Sequence, residues 1–187
     1  MGKGRLEAFS DGVIAIIVTI MVLELKAPPQ ATPAALFALS PVFLSYALSF
    51  LVVAIMWVNH HHLLHSVPRV DGGLLWWNNH LLFWISLIPF STAFLGDHPR
   101  EPLAVSVYAA NLGFAALGFV ALRGAVAARD HGRVELHLRQ RRKNLMTMGL
   151  YLSAIPLAQV SVWLSYGVFV LIPALYFMPE RGLEPAP

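Results

Sequence analysis

The stretch Arg5-Leu-Glu-Ala-Phe-Ser-Asp11 runs directly into Gly12-Val-Ile-Ala-Ile-Ile-Val-Thr-Ile-Met-Val-Leu23, so charged side chains stand at the mouth of an apolar helix. A membrane helix rarely carries ionisable groups unless they pair or line a polar path. Arg5 and Asp11 are therefore candidates for function rather than casual surface charges. They are six residues apart, about 120° around a helix, so each needs a partner on another element.

Composition places the chain among helical membrane proteins. Of its 187 residues, 57% are hydrophobic and 12% are charged, whereas soluble domains carry about 25% charged residues. The mean hydropathy is +0.64, and apolar runs near membrane-spanning length recur from end to end. The absence of cysteine excludes disulfides and thiolate chemistry. We expect residues 1–25 to be a retained helix and not a cleaved signal peptide, because Glu7 and Asp11 interrupt the apolar run.

The breaks between apolar runs predict an all-α integral membrane protein with six transmembrane helices in a single domain, residues 1–187. Residues 145–177 are too many for one span of about 20 residues. Two short helices that turn near Gln159–Ser161 fit this segment better. A polar loop is expected after the second helix, from Asn59 to Gly73. The predicted helices cover residues 6–25, 34–58, 74–95, 103–128, 145–159 and 161–177.

The basic residues predict the orientation of the spans. With six spans, eleven of the thirteen Lys and Arg residues fall on one side, and Lys26 and Arg100 lie alone on the other. The positive-inside rule then places both termini of this multi-pass cell-membrane protein in the cytoplasm. The pI of about 9.5 therefore reflects topology and not nucleic-acid binding. The eleven residues are Lys3, Arg5, Arg69, Arg123, Arg129, Arg133, Arg139, Arg141, Arg142, Lys143 and Arg181.

One narrow stripe of branched side chains runs along the first helix. Ile16, Ile20 and Leu23 lie at spacings i, i+4 and i+7, with Thr19 at the edge. Such a stripe ordinarily packs against neighbouring helices. It can also face an axis shared by several subunits, where rings of aliphatic side chains narrow a pore until it dewets. No internal repeat of this helix occurs, so further copies would have to come from separate chains.

The histidines at 60–65 admit three other interpretations. His61 and His65 have the spacing of two metal ligands on one helix face, but no nearby acid or cysteine completes a four-ligand shell, so we expect no metal and no cofactor. A proton-coupled secondary transporter could use Asp11 with these histidines, although such transporters usually contain internal repeats and broken helices. An enzyme that combines the histidines with Asp71 ranks last, because no acid, base and nucleophile spacing supports it.

Three stretches carry a resemblance to a known family. Arg5-x-x-x-Phe9-Ser10-Asp11, followed by an apolar helix, resembles the signature of the transmembrane protein 175 potassium-channel family. Trp57-x-Asn59-His60-His61 at the end of helix 2 is similar to that family too, as is Leu-Leu-Trp-Trp-Asn-Asn with Ile-Pro-Phe-Ser-Thr-Ala-Phe-Leu in helix 3. The resemblance covers residues 5–96, and helices 4–6 carry no motif that aligns.

The resemblance implies a six-helix subunit that assembles as a homotetramer. It implies a channel in membrane lipid that favours K⁺ over other monovalent cations and lets them pass along an axis lined by helix 1. The family's pore constriction falls on Ile16, Ile20 and Leu23, and its polar pore layer falls on Thr19. A network that anchors the cytoplasmic end of helix 1 is expected from Arg5, Phe9, Ser10, Asp11, Asn59 and His60.

Overall fold

The structure is a computed structural model that describes residues 2–67, 69–130 and 134–177. Within these ranges the chain consists of helices joined by short connections and contains no strand. Arg133 and Arg181, two of the residues that predict orientation, lie outside the described residues. The helices are α1 (Lys3–Leu23), α2 (Pro33–Ala38), α3 (Ser40–His65), α4 (Gly72–Ser86), α5 (Ile88–Asp97), α6 (Pro102–Ala127), α7 (Val134–Val160) and α8 (Val162–Phe177).

Four segments are long and apolar enough to cross a membrane, namely α1, α3, the α4–α5 pair and α6. The third of these is two helices that meet at Leu87. Pro89 lies in the first turn of α5, where its missing N–H interrupts the helical ladder. α8 is apolar but has only 16 residues, and α7 begins in the basic run. The predicted all-helical membrane fold is present, while the count of six spans stays a prediction.

Several helix bounds differ from the predicted ones. α3 continues to His65 instead of ending before a polar loop at Asn59, because neither Gly nor Pro interrupts the backbone before Pro68. The predicted helix over 34–58 is split at Leu39, where Pro41 in the first turn of α3 cannot donate back to the preceding helix. α7 begins at 134 rather than 145, because charged side chains are good helix formers wherever water reaches them.

Contacts between helix ends define one end of the bundle. Lys3 Nζ donates a hydrogen bond of 2.6 Å to the backbone oxygen of His65. Asp71, just before α4, accepts two hydrogen bonds of 2.8 Å from the Arg129 guanidinium, just after α6. The beginnings of α1 and α4 therefore lie beside the ends of α3 and α6. We call this the basic end, because the described Lys and Arg residues other than Lys26 and Arg100 cluster there.

A second set of contacts joins the helix ends at the opposite side. The Gln159 side chain, at the end of α7, donates to Ser106 Oγ near the beginning of α6 at 3.3 Å. Tyr166 OH in α8 donates to the backbone oxygen of Pro99 at 2.9 Å.

The last helix returns towards the basic end. The hydroxyls of Thr147 and Tyr176 lie 3.3 Å apart, which brings the end of α8 back to the first half of α7. Successive long segments therefore run in alternating directions.

α6 is the central helix of the bundle. It packs against α4, α5 and α7, and most of its side chains are buried. Small residues let its neighbours approach closely, as is usual for helices in membranes. A Cβ atom at Gly118 would lie 3.1 Å from the Cα of Leu81 in α4. The α4–α6 contact therefore depends on the missing side chain at this position.

Gly118→Leu is expected to destabilise the fold by separating α4 from α6. The added side chain would meet the backbone of Leu81, which cannot rotate away. Inserting extra carbons into a well-packed contact usually costs about 1–3 kcal/mol. Thermal unfolding in detergent, followed by circular dichroism, measures this loss. Gly149→Leu is the matched control, because a Cβ there meets nothing within 4 Å. Equal unfolding midpoints for the two variants would contradict the packing argument.

Asp71→Asn is expected to make stability less sensitive to acid. The Leu74 N–H and the Arg129 guanidinium bond the carboxylate and lower the pKa of Asp71 below its usual 3.8. A carboxyl whose pKa is depressed by folding stabilises the protein above its unfolded pKa, and this stabilisation disappears as the pH falls through the folded value. The asparagine retains the cap but loses the charge. The unfolding midpoints of wild type and variant should differ at neutral pH, and the gap between them should shrink as the pH falls below about 4. A gap at about pH 3 as large as the gap at neutral pH would contradict this assignment.

Candidate functional site

α1 has one buried face and one uncovered face. The buried side chains, which are 2–3% exposed, lie against α3, α4 and α5. On the uncovered face, Ile16 is 59%, Ile20 43% and Leu23 75% exposed. Thr19 is exposed beside them, and its hydroxyl donates to the backbone oxygen of Ile16 at 2.8 Å. The predicted stripe is therefore not packed within the subunit. The apolar residues of the buried face are Leu6, Ile14, Ile17 and Met21, and Ser10 lies among them.

A buried chain of hydrogen bonds ties α1 to α3 and α4. Asn78 Nδ2 in α4 donates to Ser10 Oγ at 3.0 Å, and Ser10 Oγ donates to the backbone oxygen of Leu6 at 2.9 Å. Asn78 Oδ1 lies 2.7 Å from His60 Nε2. Because an amide oxygen only accepts, His60 Nε2 must carry the proton. Ser10, His60 and Asn78 are all fully buried, so these bonds form in a low-dielectric interior.

Asp11 has a different partner from those predicted. Its Oδ1 accepts a hydrogen bond of 2.9 Å from Trp57 Nε1 on α3, whereas the sequence predicts an asparagine or histidine from the segment after helix 2. α3 is helical through this segment, and the Trp57 indole, about one turn before His60, reaches Asp11 while His60 bonds Asn78 in the interior. The indole donates along the surface of α3 that meets α1. This bond and the Asn78 bonds both fix α1 against its neighbours.

The other predicted anchoring residues are not part of this network within the subunit. Arg5 is exposed and Phe9 is 52% exposed. In the part of the chain that the structure describes, the Arg5 side chain makes no hydrogen bond or ion pair. Asn59 is partly buried and donates to the backbone oxygen of Ile55 in its own helix at 2.8 Å. Arg5 and Phe9 instead extend the uncovered face of α1 beyond the stripe.

The histidines of α3 form an aromatic row on its surface. His61 stacks on His65 with ring centroids 6.3 Å apart, and Trp57 lies 6.1 Å from His61. Among the residues that the structure describes, no three His, Cys, Asp or Glu side chains are grouped closely enough to hold a metal ion. The exposed imidazoles of this row therefore contact one another and Trp57, while His60 points to the interior.

Two residues of the anchoring contacts were missed as site residues by the sequence analysis. Trp57 lies in the stretch that carries the resemblance, and Asn78 lies in a largely apolar helix. An amide within a membrane helix is itself a signal, because an unpaired polar group is costly in hydrocarbon. The spacing of residues in the sequence does not identify the hydrogen-bond partner of Asn78, since Ser10 and Asn78 are 68 residues apart.

Comparison with known proteins identifies relatives of this chain. The family model described as "Endosomal/lysosomal potassium channel TMEM175" matches residues 5–89. A potassium channel of Chryseobacterium sp. (strain P1-3) is 37% identical over 186 residues, 98% of this chain and 97% of that protein. The human endosomal/lysosomal proton channel TMEM175 is 31% identical over 118 residues, 55% of this chain and 23% of that protein.

A solved structure extends the similarity to the whole fold. The crystal structure of a lysosomal potassium-selective channel TMEM175 homolog from Chamaesiphon minutus matches with a TM-score of 0.84 at 36% identity. The match covers 93% of this chain and 95% of that chain. Sequence and structure thus agree over nearly the full length of both proteins. The chain belongs to the TMEM175 family of ion channels.

Proposed function

We propose that this protein is a potassium-preferring cation channel whose pore is formed by α1 from four identical subunits. Ile16, Ile20 and Leu23 form a hydrophobic constriction, and Thr19 adds a ring of hydroxyls. The bacterial relatives with nearly full-length matches are potassium channels by name, which supports potassium as the conducted ion. The vertebrate relatives are named proton channels. Proton conduction is therefore the alternative that the experiment must distinguish from potassium conduction.

The observation that carries the proposal is the uncovered face of α1. Three large aliphatic side chains stand exposed in a row, with Ile16 and Leu23 more than half exposed. A subunit that folds around α1 would bury this row if it served only internal packing. A ring of copies of α1 instead brings the row to a shared axis, where apolar rings exclude water and gate the pathway. Gly12 and Ala15 are also exposed and allow the copies to approach closely.

The alternating direction of the long segments supports six spans. α1, α3, α4–α5, α6, α7 and α8 cross the bundle in turn, and the beginning of α1 and the end of α8 then lie at the basic end. The basic end faces the cytoplasm by the positive-inside rule. In this arrangement the basic first half of α7 lies at the level of the lipid headgroups, and only its later half enters the hydrocarbon. A tetramer is the assembly that provides four copies of α1 from chains that each contain one.

The anchoring contacts set the width of the constriction in this mechanism. Asn78 and Trp57 hold the beginning of α1 from two sides, through Ser10 and Asp11. A helix fixed at one end transmits its position along its whole length, because an α-helix is stiff over 20 residues. Arg5 and Phe9, which the subunit leaves uncovered, are then available to the neighbouring subunit. The interpretation as a transporter would instead require Asp11 to exchange protons, although it is held by an indole N–H.

Ion flux in liposomes tests the proposal. Purified protein is reconstituted, a K⁺ gradient is imposed without a proton gradient, and K⁺ efflux is recorded with a proton ionophore present to prevent charge build-up. We expect K⁺ efflux at neutral pH that needs no proton gradient and exceeds Na⁺ efflux under the same gradient. Strict dependence on a proton gradient would support the transporter instead. Proton flux in a parallel assay without the ionophore, together with no K⁺ efflux in this assay, would contradict the assignment of potassium as the conducted ion.

A further inference from the structure

A cavity at the basic end lies between α6 and α7, away from α1 and its contacts. Its volume is about 410 Å³, which is ample for a phosphate group with part of its attached glycerol. No residue of the pore stripe or of the anchoring contacts lines it, so the proposed function does not account for it. The lining residues are Val120, Ala121, Arg123, Gly124, Ala127, His137, Leu138 and Arg141.

Basic side chains converge on this cavity from both helices. Arg123 on α6 is only 4% exposed, and its guanidinium donates to the side-chain oxygen of Gln140. Its Nε is buried and has no hydrogen-bond partner. Arg141 on α7 is exposed and lines the same cavity. Among the described side chains, none that carries a carboxylate lines the cavity or pairs with Arg123.

One carboxylate contacts a lining residue without lining the cavity itself. His137 is 4% exposed, and its Nε2 lies 3.2 Å from Asp130 Oδ2. This contact fixes the imidazole plane while His137 Nδ1 remains buried without a hydrogen-bond partner. The buried Arg123 Nε and His137 Nδ1, both without a hydrogen-bond partner beside one cavity, are costly to leave unpaired. A bound anion at this place would accept the hydrogen bond that the Arg123 Nε–H has to donate.

The rest of the lining suits a hydrocarbon chain. Val120 and Leu138 provide apolar surface, and Leu138 is 52% exposed. Ala121, Gly124 and Ala127 recur every three residues, so this face of α6 carries almost no side-chain bulk. A Cβ placed on Gly124 meets nothing within 4 Å. Charge within the cavity and apolar surface at its rim together match an amphiphile with an anionic head.

We propose that this cavity binds the phosphate headgroup of an anionic phospholipid, with Arg123 and Arg141 contacting the phosphate oxygens. Arginine suits phosphate because its N–H groups match two oxygens at once. Free inorganic phosphate presents the same oxygens as the phosphate group of the lipid. A lipid is the occupant we assign, because the cavity lies between two helices of a membrane protein and has an apolar rim. Basic cavities between membrane helices on the cytoplasmic side are typical headgroup sites.

Lipid titration with native mass spectrometry tests the proposal. The detergent-solubilised assembly is titrated with dioleoylphosphatidylglycerol and, separately, with dioleoylphosphatidylcholine of the same chain length. We expect tighter binding of phosphatidylglycerol. Arg141→Gln should weaken that binding about fivefold, the usual effect of one basic residue on an anionic headgroup. Arg142→Gln is the matched control, because Arg142 is adjacent and also exposed but does not line the cavity.

A second pair of variants tests the cavity without changing charge. Gly124→Leu fills the open space on α6 and should weaken phosphatidylglycerol binding by a similar factor. Gly149→Leu adds the same side chain to another open position and should leave binding unchanged. Equal losses for Arg141→Gln and Arg142→Gln would mean diffuse attraction and would overturn the site. Displacement of the lipid by millimolar inorganic phosphate would overturn the lipid as occupant and assign the cavity to free phosphate.

Discussion

Ile16→Asn is expected to raise the single-channel conductance and to weaken the discrimination between K⁺ and Na⁺. Four aliphatic side chains at this level exclude water from the narrowest part of the proposed pathway. Asparagine is of similar size but supplies amide groups that solvate a passing cation. Removing about 1.4 kcal/mol from the barrier would increase the current on the order of tenfold. Recordings in planar bilayers, with K⁺ on one side and Na⁺ on the other, measure both effects.

The control for this variant is the same polar residue on another exposed face of α1. Val22 is 44% exposed and lies about 120° from Ile16 around the helix. Val22→Asn should therefore leave conductance and ion discrimination near wild type. Wild-type currents from Ile16→Asn would remove Ile16 from the constriction. Similar gains from both variants would mean that polarity anywhere on α1 loosens the assembly, and the stripe would have no special role.

The sequence predicts α1 and its stripe because both depend on local information. An apolar run of membrane length is a helix in almost any context, since hydrocarbon leaves the backbone no other way to satisfy its polar groups. The period of a helix then places Ile16, Ile20 and Leu23 on one line. Only the structure shows that this stripe is exposed within the subunit. A stripe that packs against other helices and a stripe that is left uncovered have the same spacing in the sequence.

The errors of the sequence analysis have physical causes. The histidines at 60–65 are polar, and polarity alone suggests a loop, yet helices end where the backbone is broken and not where the side chains become polar. The structure continues α3 to His65 for this reason. The basic run before Leu145 was missed as helix by the same reasoning. Partners across the bundle, such as Asp11 with Trp57, depend on how helices dock, which single-sequence spacing does not encode.

Asn78→Leu is expected to destabilise the fold by removing the hydrogen bonds that join α4 to both α1 and α3. The leucine has a similar volume, so little space is created, but His60 Nε2–H loses its acceptor and Ser10 loses its donor. An unpaired buried polar group costs about 1–3 kcal/mol, and interhelical hydrogen bonds in membrane proteins contribute up to about 1.7 kcal/mol. We expect a loss of about 1–2 kcal/mol in unfolding experiments in detergent.

The next residue provides the matched control. Asn79 is exposed and the structure gives its side chain no hydrogen bond among the described residues, so Asn79→Leu makes the same chemical change where nothing is lost. Its unfolding midpoint should stay at or above that of wild type, because no hydrogen bond is lost and leucine is a better helix former than asparagine. Equal destabilisation by Asn78→Leu and Asn79→Leu would mean that the buried bonds contribute nothing.

The double variant His60→Leu with Asn78→Leu separates two effects on stability. One is the net contribution of the buried hydrogen bonds, and the other is the penalty of leaving one partner unpaired. If the penalty of Asn78→Leu is the stranded imidazole, removing the imidazole should restore much of the stability, since apolar partners on both sides can replace a buried hydrogen bond at little cost. The K⁺ current should not recover with it. Ser10 would still lack its hydrogen bond to α4. The subunit would then be stable, but α1 would no longer be held in the position that sets the width of the constriction. Recovery of stability and current together would show instead that current follows overall stability, and the anchoring contacts would then have no separate part in conduction.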